Sequence, residues 1–287
     1  MAHNDRKKVL LTIFGIFILC IIVENIEFMV IKTDQTWIGE NIICKIFCIL
    51  VVAFVLTKEK LHWNELGFTS RRFFRGMLYG FSLGVVTFAL SYLAEFIILW
   101  AEGKHPHLSF YISNFTMSEQ NVTGTSLLAV FVCIVGNVVN VWAEEGLFRG
   151  LFIRLGCKEF SQKQSNMIQA MLFGVWHIIS VVLWVQEGSM TIPQAIVMGI
   201  GYLALAWILG YEWGICAMLT GTIWTGTFEH FFNNFISNTL HTVTETGADE
   251  MQIVRIVISN ILSLTIVLIA ARIVRKRKET TADITTA

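Results

Sequence analysis

Long uninterrupted runs of apolar residues dominate this chain, and they leave it few ways to fold. Eight of them approach or exceed the roughly 20 residues that cross a bilayer as a helix. They fall at about 9–31, 38–57, 73–100, 124–155, 164–185, 190–219, 222–240 and 252–274. Lipid offers the backbone no hydrogen-bond partners, so runs of this length must satisfy their amides internally. The expected fold class is therefore all-α, a polytopic transmembrane helix bundle of about eight spans. Composition agrees, since only 15% of the 287 residues are charged where soluble domains carry about 25%. A formal net charge of zero gives no basis for a nucleic-acid partner.

Orientation follows from the placement of Lys and Arg, which concentrate on the cytoplasmic side. Arg6, Lys7 and Lys8 precede the first span. Lys58, Lys60, Arg71, Arg72 and Arg75 lie between the second and third, and Arg149, Arg154, Lys158 and Lys163 lie around the fourth-to-fifth connection. Arg272, Arg275, Lys276, Arg277 and Lys278 follow the last. Both termini are expected to be cytoplasmic. The connection after the sixth span has no basic residue to fix its side. The N-terminal basic cluster is followed by an apolar run to about Ile31, too long for the core of a signal peptide, so the first span is expected to be retained. Asn114 and Asn121 begin N-x-Thr sequons on the outer side, relevant only in a eukaryotic source. The six cysteines form no CxxC pair and read as small buried hydrophobes.

Ionisable groups inside spans are expensive and mark candidate functional sites. Glu144 and Glu145 stand in the fourth span with Arg149 four residues after Glu145, where an ion pair along one helix face is favoured. Glu144 has no such partner on its own helix. Phe173 and His177 share a face of the fifth span, beside a Gly174 that leaves room for another helix. His230 and Asn234 share a face of the seventh. Asn137 and Asn140 suit helix–helix hydrogen bonding, and Glu24 and Glu27 suit a packing or interfacial role. Each cluster alone has a packing explanation. Counted from the cytoplasmic ends of their helices, however, Glu144, His177 and His230 all lie roughly 12–20 Å deep.

That layer contains the parts of a peptide-hydrolysing centre. A glutamate beside a histidine can activate water. A second histidine with an amide side chain can stabilise the tetrahedral oxyanion. Glu144 with His177 fits the first role, and His230 with Asn234 the second. No serine or cysteine is comparably placed beside a base. Zinc held by His and Glu is the alternative chemistry, although HExxH is absent. A proton-coupled transporter would use similar groups but lacks evident inverted repeats. A non-proteolytic scaffold or immunity protein could bind a peptide or a partner membrane protein in the same cavity.

The ordered motifs Glu144-Glu145-x-x-x-Arg149, Phe173-x-x-x-His177 and His230-x-x-x-Asn234 resemble those of the CAAX protease and bacteriocin-processing (CPBP/Abi) family. These are intramembrane glutamate endopeptidases related to the type II CAAX prenyl endopeptidase. The resemblance covers about residues 120–240, which would form the catalytic core. Residues 1–110 would supply about three N-terminal spans and 250–287 the last span with a basic tail, in one integrated membrane domain. It implies that Glu144 and His177 activate water, that His230 and Asn234 form the oxyanion site, and that Glu145, Arg149 and Phe173 support them. It implies no metal or other cofactor, and a hydrophobic or lipidated peptide substrate met at the lipid bilayer. Glu229, beside His230, departs from the apolar residue usual there. The compact layout fits a bacterial plasma membrane, or the endoplasmic reticulum membrane in a eukaryote.

Overall fold

The computed structural model describes residues 2–36, 40–113, 125–247 and 249–286. The two sequons, and the first residues of the expected second span, lie outside the described residues. Helix α1 (Ala2–Ile26) ends in a π-helical turn, Glu27–Ile31. Helices α2 (Ile42–Glu59) and α3 (Phe73–Ala101) follow. Helix α4 (Leu127–Glu144) passes without a break into a π-helical stretch, Glu145–Phe152, and then α5 (Ile153–Gly156). Helices α6 (Gln162–Trp176), α7 (Ile178–Gln186), α8 (Ile192–Thr220), α9 (Trp224–Thr239) and α10 (Gln252–Thr286) complete the bundle.

Among the described residues six stretches are long and apolar enough to cross a membrane: Asp5–Ile31, Ser70–Ala101, Leu127–Gly156, Gln162–Gln186, Ile192–Thr220 and Gln252–Lys278. The other two expected spans differ for a physical reason. Helix α2 has 18 residues and includes Lys45, Lys58 and Glu59. Helix α9 has 16 and carries Glu229, His230, Asn233 and Asn234. Such polar groups are tolerated at membrane depth only where protein surrounds them. The expected fifth span is also divided, because the helix is interrupted at His177 between α6 and α7.

The protein is an integral membrane protein with an inverted surface. Leu127, Val197, Phe74 and Ile192 are largely exposed on the outside of the bundle, while Glu24, Lys45, Glu95, Glu144, Arg149, Glu212 and Arg255 are buried inside it. One end gathers the basic connections. Lys158 Nζ lies 2.5 Å from Glu59 Oε2, Arg154 Nη2 lies 3.1 Å from Glu65 Oε1, and Arg6 lies over the Phe160 ring. The connection after α8 belongs to this same end. Arg72 donates to the Thr220 carbonyl at 2.5 Å, and Thr222 Oγ1 donates to the Gly67 carbonyl at 2.7 Å.

At the other end the two longest loops are not wholly irregular. Strand β1 (His107–Phe110) pairs antiparallel with β2 (Leu240–Val243), a local exception to an all-helical chain. Buried Arg255 of α10 anchors this two-stranded sheet through Glu95 at 2.6 Å and Asp249 at 2.5 Å. Thr242 of β2 donates to the same Glu95, and His241 Nδ1 lies 3.0 Å from Asp249.

Close approach of α3 to α9 positions the polar face of α9. Gly76, Gly80 and Gly84 recur every four residues on α3, the small-residue spacing that lets membrane helices touch. A Cβ on Gly80 would stand 2.5 Å from the Thr225 carbonyl oxygen and 2.8 Å from the Glu229 amide nitrogen. Gly174 plays the corresponding part between α6 and α8, where a Cβ would meet the Leu203 carbonyl oxygen at 2.8 Å.

Candidate active site

The first motif lies where α4 changes from α- to π-helical winding, a feature that often accompanies functional sites. Glu145 and Arg149 form the ion pair expected from their spacing, with 2.7 Å between Oε1 and Nη2. Both side chains are fully buried. The guanidinium lies 4.0 Å from the Phe173 ring centre and 4.7 Å from that of Trp213. Cation–π contact with two rings offsets part of the water it has lost. Phe173 therefore supports Arg149, and its backbone carbonyl holds His177.

Glu144 is not left unpartnered. Lys45 of α2 donates to its Oε1 at 2.7 Å, and Trp176 Nε1 donates to the same oxygen at 3.3 Å. No periodicity or spacing joins Lys45 to this glutamate, 99 residues away. An isolated lysine in an apolar span was the available signal. Glu144 Oε2 faces His230 Nε2 at 3.7 Å.

His230 connects both glutamates. Its Nδ1 lies 3.0 Å from Glu145 Oε1, an acceptor-only carboxylate, so Nδ1 carries a proton. Its ring stacks on Trp213 of α8. Trp213 donates its indole N–H to Glu229, and Ser263 Oγ of α10 donates to Glu229 Oε1 at 3.3 Å. Glu229 thus serves Trp213 and α10.

His177 occupies the break between α6 and α7. Its Nδ1 donates to the Phe173 carbonyl at 2.8 Å, which leaves Nε2 of the neutral ring as an acceptor. Asn234 lies one turn beyond His230 on the same face of α9 and makes no hydrogen bond among the described residues. Its neighbour Asn233 pairs with Asn260 of α10 at 2.8 Å.

Other polar groups have structural partners. Glu27 accepts from the amides of Ile43 and Cys44 at 2.9 and 2.5 Å, capping the N-terminus of α2. Glu24 lies 3.9 Å from Lys45 Nζ. Asn137 bonds back to the Cys133 carbonyl of its own helix at 3.0 Å.

Residues 126–236 match the family described as Rce1-like, type II CAAX prenyl endopeptidase Rce1-like. The likeness is confined to that segment of the chain. All three motifs fall within it, from the start of α4 to the last turn of α9. Helices α1 and α2, with Glu24 and Lys45, precede the Rce1-like segment. None of the curated proteins compared matches the chain.

Proposed function

We propose that the protein is an intramembrane endopeptidase that hydrolyses a peptide bond in a hydrophobic or lipidated, membrane-associated peptide. The observation that carries this reading is the meeting of Glu144, Glu145 and His230 inside the Rce1-like segment. Glu144 takes a proton from water as the water oxygen attacks the scissile carbonyl carbon. His177 Nε2, an acceptor once Nδ1 is bonded to Phe173, orients that water. His230 and Asn234 donate to the oxyanion. His230 does so from Nε2, and only as the imidazolium, because its Nδ1–H is directed to Glu145. Collapse of the intermediate breaks the C–N bond, and the proton held by Glu144 passes to the leaving amine.

This route runs through no metal. Among the described residues no three His, Cys, Asp or Glu side chains are disposed to hold one. Glu144 Oε1 is moreover engaged by an ammonium group, which a dication on the same oxygen would repel.

Comparative mass spectrometry of membrane and secreted peptides from cells carrying wild type or Glu144→Ala tests the reading. Peptides that accumulate uncut in the variant, and are cut by purified wild type, are the expected result. Identical peptide profiles with a preserved cellular phenotype would favour a peptide-binding scaffold instead.

A further inference from the structure

The two oxygens of the Glu144 carboxylate are held unequally. Oε1 accepts from Lys45 Nζ at 2.7 Å and from Trp176 Nε1 at 3.3 Å. Oε2 accepts no hydrogen bond among the described residues and is the oxygen turned toward His230. Lys45 is itself tightly placed. It is buried, its ammonium lies 3.9 Å from Glu24 Oε1 of α1, and the same group sits 5.1 Å from the Trp176 ring centre. Glu24 is buried as well.

A buried lysine is a costly way to join two helices. Neutral side chains already join others in this bundle, as Asn233 and Asn260 do at 2.8 Å. A charged donor on one oxygen of a carboxylate bonds more strongly than a neutral one. It fixes the rotation of the group and so decides which oxygen faces the reacting atoms.

We propose that Lys45 is a positioning residue of the peptidase centre: it holds Oε1 of Glu144 and thereby presents Oε2 as the oxygen that takes the proton from water. Glu24 is the second carboxylate beside the Lys45 ammonium, so the chain Glu24–Lys45–Glu144 runs from α1 through α2 to α4. The centre therefore extends beyond the Rce1-like segment, and the first two helices complete it. This inference rests on the peptidase reading of Glu144.

The test uses full-length protein in proteoliposomes. The probe is a fluorogenic farnesylated CAAX peptide or, where wild type leaves that intact, a peptide that accumulates in Glu144→Ala membranes. Lys45→Met is expected to lower kcat by at least about tenfold at unchanged KM, since a displacement of about 1 Å can cost about a hundredfold. Lys45→Arg is expected to recover much of the loss, and Glu24→Gln to lower kcat severalfold. Wild-type kcat in Lys45→Met, or a loss confined to KM, would overturn the proposal while leaving the peptidase reading intact, provided Glu144→Gln is inactive. Cleavage by Glu144→Gln would overturn the peptidase reading itself. Should Lys45→Met fail to fold, Lys45→Gln and Glu24→Gln replace it. Wild-type kcat in both would overturn the role of Lys45, and a kcat loss in either at constant KM would sustain it.

Discussion

The imidazole of His230 lies flat on the indole of Trp213, with ring centroids 4.0 Å apart and planes 18° from parallel. Aromatic stacking contributes about 0.5–1.5 kcal/mol beyond the area it buries. Trp213→Leu is therefore expected to lower kcat about two- to tenfold through looser placement of His230. Glu229→Gln keeps an acceptor for the indole N–H and is expected to stay near wild type. Steady-state cleavage assays on the two variants check this.

Glu145 and Arg149 neutralise each other where neither reaches water. Removing one member of a buried pair typically costs about 3–5 kcal/mol, because the other charge is stranded. Glu145→Gln is expected to destabilise the protein by that order. Glu145→Gln combined with Arg149→Met is expected to cost less than the sum of the single changes. Unfolding in detergent, analysed as a double-mutant cycle, measures the coupling.

His230 and Asn234 are expected to act on the transition state. Losing one oxyanion donor typically lowers kcat by about 10²–10³. His230→Ala and Asn234→Leu should each fall by that order with little change in KM. A change confined to KM would place them in substrate binding instead.

Gly80 sets how closely α9 approaches α3. Gly80→Ala must displace backbone atoms of α9 that would stand 2.5 and 2.8 Å from the new methyl group. A cost of about 1–3 kcal/mol is expected, together with reduced cleavage as His230 shifts. Gly15→Ala, inside α1 with nothing within 4 Å of the added atom, should leave cleavage unchanged and thermal stability unchanged or slightly raised.

The end of the bundle that carries the two-stranded sheet should respond to acid. Burial pushes the Asp249 carboxyl up, but hydrogen bonds from His241 and Arg255 outweigh it and hold the group below its ordinary value of 3.8. A depressed native value contributes stability above the unfolded value, which is lost as pH falls through the native one. Melting temperatures should therefore drop below about pH 4, and Asp249→Asn should flatten that drop. Parallel melts of wild type and variant across this range read it out.

The helical bundle was legible because lipid leaves long apolar runs one economical backbone solution. The pairing of Glu145 with Arg149 was legible for a similar reason, since i, i+4 spacing is local geometry. The α3 glycine stripe went unread, although a recurrence of four is also a local signal. Lys45 was not legible as a partner of Glu144. A charge–charge contact across 99 residues has no period or spacing to announce it. The fate of Glu229 was equally hidden, because its identity beside His230 does not state which way the side chain points.

By itself, then, the sequence determined that the chain enters a membrane as helices, and which polar residues must be sheltered there. Hydrophobic length and local spacing are properties of the chain alone. Tertiary structure decided how those groups pair: Lys45 on one oxygen of Glu144, His230 beside the other, Trp213 beneath His230, and a break in the helix at His177. In a low-dielectric interior every buried charge requires a partner, and helix packing alone decides which partner comes within reach.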